Sequence, residues 1–225
     1  HIAVSGGSTP RALFNILASD YRTAARWDRV TIWQVDERTV PPTDSQSNWK
    51  MLSEALLSQI SNLKSHRMEA ERENAADDYE ALVRGEAPHA TEGAREQSIA
   101  HVPQLDLVLL GMGADGHTAS LFPGTAALDE RERLVVRNEV PQLATHRVTM
   151  TFPLINEARH RGVPPCVLTF EPHPRDFFAQ RAGRPGDAPA RIATLRDKLA
   201  ELERCGIEQA VVLRFDGHFA AQSPQ

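Results

Sequence analysis

The residues best equipped for chemistry lie in the stretch VLLGMGADGHTASLFPG, residues 108–124. An apolar run breaks there into a glycine-rich loop carrying Asp115 and His117. An imidazole takes a proton from water near neutral pH and returns it to a leaving oxygen. Asp115 is close enough to orient that ring, a bound sugar hydroxyl, or both. Gly111, Gly113 and Gly116 let the loop fold back and hold N–H groups beside a developing oxyanion. The plain alternative is a surface turn with an incidental histidine. That alternative is taken for His1, His66, His89, His101, His146, His160 and His218, but not for His117, because two further polar stretches are expected to meet it.

The first is SGGSTP, residues 5–10, and the second is DER, residues 36–38. Both follow apolar runs, and open parallel sheets bind ligands beyond the C-terminal ends of their strands. Gly6 and Gly7 let the backbone approach a ligand without a Cβ in the way. Gly7, Ser8 and Thr9 then present N–H groups at a helix start, an arrangement suited to a phosphate, and Ser5 and Gly6 complete the phosphate-binding turn. Arg38 could add a forked, charge-assisted bond. Asp36 joins Gly111, Gly113 and Gly116 in the set expected to face the substrate. A capped helix start with a surface arginine remains the alternative for this turn. Asp115 and His117 find no third or fourth ligand at a metal-like spacing, so no metal is expected. No G-x-S-x-G occurs, which argues against a serine hydrolase.

These loops need strands and helices to carry them. Residues 2–4 (IAV), 30–35 (VTIWQV) and 105–111 (LDLVLLG) read as strands, the last of the kind buried on both faces of a parallel sheet. Thr9 and Pro10 suit an N-cap and a first helical position. Leu13, Ile16 and Leu17 form the apolar stripe of that helix. Ser47 caps a helix through Leu57, and another helix is expected near residues 74–84. The acidic run 69–80 reads as a solvated helix face. Residues 85–103 have no period and read as a surface excursion. RLVVRN and HRVTMTF are further strands. Strands alternating with helices indicate an α/β class.

The 225 residues hold 25 basic and 30 acidic side chains, a net charge of −5. That argues against nucleic acid or an anionic membrane as a bulk electrostatic partner. No apolar run approaches the ~20 residues of a membrane span. Two cysteines, Cys166 and Cys205, build no disulfide framework, read as small buried hydrophobes, and suggest a reducing cytoplasm. Trp27, Trp33 and Trp49 read as core or half-buried aromatics. The chain opens on His1 with a strand already under way, and a missing N-terminal piece is expected.

Four blocks, SGGSTP, DERTVPPTDSQSN, LDLVLLGMGADGHTASLFPG and RVTMTFPLINEAR, resemble 6-phosphogluconolactonase across residues 1–158. The resemblance implies a Rossmann-like three-layer α/β/α sandwich with a mostly parallel sheet, as in glucosamine-6-phosphate deaminases and isomerases. It implies hydrolysis of 6-phospho-D-glucono-1,5-lactone, a small-molecule phosphosugar, in the pentose phosphate pathway. The turn from Ser5 to Thr9 and Arg38 would hold the 6-phosphate. His117 would activate water, with Asp115 beside it, and no metal or organic cofactor is implied. The deaminase cousin shares the glycine-rich turn and the DGH loop but continues with Asn-Glu-Pro, where this chain reads TASLFPG.

Residues 159–225 read differently. They carry ten basic and eight acidic residues, against 15 and 22 in the remainder. CVLTFEPHPRDFF, ARIATLRDKLAELERCGI and VVLRFDGHFAAQSP resemble the nucleotidyltransferase half of bifunctional riboflavin kinase/FAD synthetase. That family's nucleotide-binding turn and its kinase domain are absent, so FAD synthesis is not expected, and His173 reads as part of an orphaned loop. The expectation is a lactonase-like domain, 1–158, with a foreign β-α-β tail, 159–225, in place of the family's lysine-bearing one. Imperfect packing of such a tail costs a few kcal/mol out of a total of about 5–15. Two other outcomes stay open: a sugar-phosphate isomerase or deaminase on the same fold, and an inactive chimeric fragment.

Overall fold

Alternation within short apolar runs sets the layers. A computed structural model of the chain describes residues 1–88, 102–113, 115–157, 165–184, 186 and 194–217. It divides into two units, His1–Arg161 and Gly162–Gln225.

In the first unit, β1 (Ile2–Val4), β2 (Thr31–Gln34), β4 (Lys64–His66) and β5 (Leu107–Leu109) form a parallel sheet of order β4-β2-β1-β5. Successive side chains leave opposite faces. Val4 and Ile32 meet Phe14 of α1 (Ser8–Ser19) and Met51 and Leu52 of α2 (Asn48–Ala55). Ala3, Trp33 and Val35 meet Tyr79 and Val83 of α3 (Ala75–Glu86) on the other side. Helices therefore cover both faces of a mostly parallel sheet, the three-layer fold expected.

Three further strands make an antiparallel sheet of order β3-β7-β6: β3 (Asp36–Arg38), β6 (Val135–Val140) and β7 (Thr145–Met150). A short helix, α4 (Phe152–Ile155), follows. The DER stretch expected as a loop is thus a strand. Val35 is the reason: its N–H donates to the Val4 carbonyl, and its own carbonyl accepts from the Met150 N–H. The chain passes from one sheet into the other at that residue.

Other expectations are corrected by the tertiary structure. Gly7, not Thr9, caps α1, because φ of 124° at Gly7 lets the helix begin at Ser8 and leaves Thr9 and Pro10 in its first turn. β5 is not buried on both faces: Leu107 and Leu110 are exposed, and β5 pairs only with β1 among the described residues. Glu80 is not solvated but buried, where it accepts from Arg84, Arg133 and the Val135 amide. Burial opposes its charge, yet those hydrogen bonds outweigh burial and hold the carboxyl below its usual range. His66 is no incidental surface residue. It stacks on Trp33 at 4.2 Å, and burial pushes its imidazole below the usual range.

Most of the excursion expected over 85–103 lies outside the described residues, as do His89, His101, His160 and His218. Trp27 and Trp33 are buried and Trp49 is half-buried. No described helix is long and apolar enough to cross a membrane.

In the second unit, β8 (Cys166–Glu171) pairs in parallel with β9 (Gln209–Arg214), joined through α5 (Pro174–Arg181) and α6 (Leu195–Arg204). Thr194 and Asp197 form a capping box at the start of α6. Gly206, with φ of 77°, ends it as expected. Phe170, Phe177 and Phe178 gather around Phe215. Cys166 and Cys205 are free and exposed, contrary to expectation, because a two-stranded sheet has too little interior to cover them.

Candidate active site

The strand order fixes where a site can lie. From β1 the chain builds outward through β2 to β4, then crosses back to place β5 on the other side of β1. The crevice at such a reversal, outside the C-terminal strand ends, is where open α/β sheets bind ligands. Ser5–Gly7 leaves β1 and the 110–117 loop leaves β5 at that point. The Ser5 N–H donates to the Leu109 carbonyl at 3.1 Å, so the two exits are adjacent.

On the β5 side, His117 Nδ1 lies 2.5 Å from Asp115 Oδ1. That contact orients the ring, and it holds the Asp115 carboxyl below its usual range. With Nδ1 turned to the carboxylate, Nε2 has no partner among the described residues and is the nitrogen free to accept a proton. The ring stacks on Phe122, with centroids 4.0 Å apart. The loop is held by main-chain bonds: Gly113 N–H to the His117 carbonyl, and Gly116 N–H to the Gly113 carbonyl. Thr118 Oγ1 donates to the Gly111 carbonyl at 2.8 Å.

Gly113 is required by this packing. A Cβ there would fall 2.2 Å from His117 Cε1 and Nδ1 and 2.7 Å from Asp115 Oδ1. Gly113→Ala is expected to push the imidazole off Asp115 while leaving the exposed loop folded. A displacement of about 1 Å can cost about 100-fold in rate. Turnover should fall by about 10- to 100-fold with the thermal transition unchanged, and a variant with parent turnover would refute the ring position.

On the β1 side, Ser5 is buried, and its Oγ has no hydrogen-bond partner among the described residues. The amides of Gly7, Ser8 and Thr9 stand at the open start of α1. A Cβ on Gly6 would fall 1.8 Å from Asn48 Oδ1. Asn48 Nδ2 in turn donates to the Asp36 carbonyl at 3.0 Å. Asp36 is buried and accepts from Ser120 Oγ at 2.7 Å. Burial pushes its carboxyl up, opposed by the Ser120 hydrogen bond and the charges of Arg38 and Arg147. A continuous chain of contacts, Gly6 to Asn48 to Asp36 to Ser120, therefore joins the glycine turn to the loop that carries His117. Arg38 donates to the Gln46 carbonyl, just before α2.

Asn48, Ser120, Phe122 and Glu37 were not singled out from the sequence, although all four stand inside or beside the quoted blocks. Glu37 accepts from the amides of Arg38, Asn48 and Trp49 and the side chains of Ser47 and Gln34. Among the described residues no three His, Cys, Asp or Glu side chains gather closely enough to hold a metal ion.

The model of the family described as glucosamine-6-phosphate isomerases/6-phosphogluconolactonase matches residues 1–196. The chain belongs to this family. The match runs beyond the junction expected near Ala158. The family member is 36% identical over 197 residues to 6-phosphogluconolactonase of Chlamydia muridarum, covering 82% of this chain and 71% of that protein. It is 39% identical over 165 residues to that of Treponema pallidum, covering 70% and 63%. It matches 6-phosphogluconolactonase 3, chloroplastic, of Arabidopsis thaliana at 36% over 170 residues, covering 73% and 52%. The aligned stretch thus spans only about half to two thirds of several curated relatives. Among solved structures, 6-phosphogluconolactonase from Trypanosoma cruzi superposes with a TM-score of 0.65 at 28% identity, covering 95% of this chain and 81% of that one. The enzyme from Leishmania guyanensis gives 0.65 at 25% identity, covering 99% and 86%.

Proposed function

We propose that the chain hydrolyses 6-phospho-D-glucono-1,5-lactone to 6-phosphogluconate. The observation that carries the reading is the His117–Asp115 contact of 2.5 Å, on a loop that leaves the sheet next to an open helix start. His117 Nε2 takes a proton from water, and the oxygen of that water bonds to the lactone carbonyl carbon. The carbonyl π pair moves to oxygen, and loop N–H groups stabilise that charge. The tetrahedral intermediate then collapses, the bond from carbon to ring oxygen breaks, and His117 returns its proton to the departing oxygen. The amides of Gly7, Ser8 and Thr9, the Ser5 hydroxyl and Arg38 hold the phosphate. No step draws on a cofactor. The two free cysteines are in keeping with a reducing cytoplasm.

The deciding experiment is a lactonase assay on the purified full chain, with spontaneous hydrolysis subtracted. Saturable turnover is expected, without ammonia release from glucosamine 6-phosphate. No turnover, or ammonia release in its place, would reject the reading.

The tail is read as a β-α-β unit akin to the nucleotidyltransferase segment, supported by its three sequence blocks and by the parallel pairing of β8 with β9. Phe215 is the one buried hydrophobic residue in the second unit among the described residues. So small a core gives little stability, and the unit is expected to unfold before the first. All three tryptophans, Trp27, Trp33 and Trp49, lie in the first unit. Far-UV circular dichroism should therefore lose signal at a lower temperature than tryptophan fluorescence, and 6-phosphogluconate should raise only the latter. Coincident transitions would refute independent unfolding of the tail.

A further inference from the structure

Two arginines oppose each other across the antiparallel sheet. Arg38 of β3 and Arg147 of β7 are register partners, so both side chains leave the same face. Like charges directly opposite each other are destabilising. Among the described residues neither guanidinium forms an ion pair; Arg38 reaches only the Gln46 carbonyl, and Arg147 has no side-chain hydrogen bond. Burial, then the charge of Arg38, pushes the Arg147 guanidinium below its usual range, with Asp36 and Glu37 opposing. A cation left in this state is costly unless something compensates it.

The same face carries Asp36 and Thr149, which are also register partners. Asp36 accepts from Ser120 Oγ, and Thr149 Oγ1 accepts from the Ser120 N–H at 3.2 Å. Ser120 lies three residues after His117. The arginine pair therefore shares its face with the groups that hold the His117 loop, two residues further along each strand.

We infer that Arg147 is a second guanidinium of the substrate site, acting with Arg38 as a clamp for the dianionic phosphate of the lactone. The inference rests on the lactonase reading for the substrate, but the anion binding stands by itself. A phosphate monoester carries about −1.5 to −2 charges at neutral pH. It can accept from two guanidiniums at once and cancel their repulsion. The pair is thus held in opposition by the sheet until a dianion arrives, which favours phosphorylated over free sugar lactone.

The test compares the parent chain with Arg147→Met and Arg147→Lys, using calorimetric titration with inorganic phosphate, lactone kinetics and thermal unfolding. Arg147→Met is expected to bind phosphate at least about tenfold more weakly, in line with loss of one charged hydrogen bond. KM should rise by a similar factor, with the loss falling on KM more than on kcat. Preference for the phosphorylated over the free lactone should shrink. Without phosphate, Arg147→Met should melt no lower than the parent, because a like charge has been removed. Arg147→Lys should recover part of the affinity. Parent-like phosphate affinity in Arg147→Met, a lower melting temperature with affinity unchanged, or no phosphate binding by the parent would each overturn the inference. A parent that binds phosphate but leaves the lactone intact would reject the lactonase reading, and Arg147 would then be judged on the phosphate titration.

Discussion

Replacing His117 with alanine is expected to lower lactone turnover by about 10²- to 10⁴-fold, the usual loss on removing a general base. The argument is geometric. Nδ1 is occupied by Asp115 at 2.5 Å, so the ring presents Nε2 for proton transfer. The other described imidazoles of the first unit are placed elsewhere: His1 and His66 both stack on Trp33, and His146 leaves the opposite face of β7 from Arg147. The loop should keep its shape without the ring, because its closing bonds run through the main chain at Gly113, His117 and Gly116. Binding of 6-phosphogluconate should therefore survive, since the glycine turn and Arg38 are untouched. Steady-state rates corrected for spontaneous hydrolysis, with product affinity from calorimetry, separate the two effects. A variant that turns over like the parent would remove His117 from the mechanism. One that loses product binding as well would show that the ring supports the pocket and is not only its base.

The largest stability effect is expected at Glu37. This residue is buried, and its two carboxyl oxygens gather five donors from three segments of the chain. Two of those donors are the Asn48 and Trp49 amides, which open α2 and have no intrahelical partner. A carboxyl at that end also complements the helix dipole. Glu37→Ala strands several buried donors at once, each at about 1–3 kcal/mol. The sum should be at least about 3 kcal/mol, a large part of a stability of about 5–15 kcal/mol. Urea unfolding followed by tryptophan fluorescence would report it as a lower midpoint for the first unit. Glu37→Gln keeps the shape but turns an NH2 group towards some of the donors, and it should fall between the two. An unchanged midpoint for Glu37→Ala would mean the network contributes nothing net. The loss would reach function as well, because α2 supplies Asn48, which fills the space beside Gly6 and reaches Asp36.

Much of this arrangement was legible from residue types and local order. A three-residue apolar run followed by paired glycines and a helix stripe marks a strand, a turn and an α-helix, because each depends on side chains only a few positions apart. Asp115 and His117 stand two residues apart on a glycine-bearing loop, so their contact is a local event and could be anticipated. Gly113 is of the same kind, since the ring it accommodates is four residues away.

The meeting of the glycine turn with the His117 loop followed from the parallel-sheet rule, but most other relations between distant segments could not be read. DER looks like a polar loop because its neighbours are polar and proline-bearing. It is a strand because Met150, more than a hundred residues later, bonds to Val35. Glu80 sits in an acidic run that reads as solvated, and Arg133 from a distant segment draws it inside. Arg147 is one of several arginines in the chain until register sets it opposite Arg38.

The sequence by itself thus determined the local pieces: the strand–turn–helix units, the glycine positions and the His117–Asp115 pair. Only the tertiary structure decided which strand ends lie side by side, which polar groups are buried, and which charges face each other. The reason is physical. Backbone propensity and short-range contacts act within a turn or two of chain, whereas pairing register and burial depend on the packed whole.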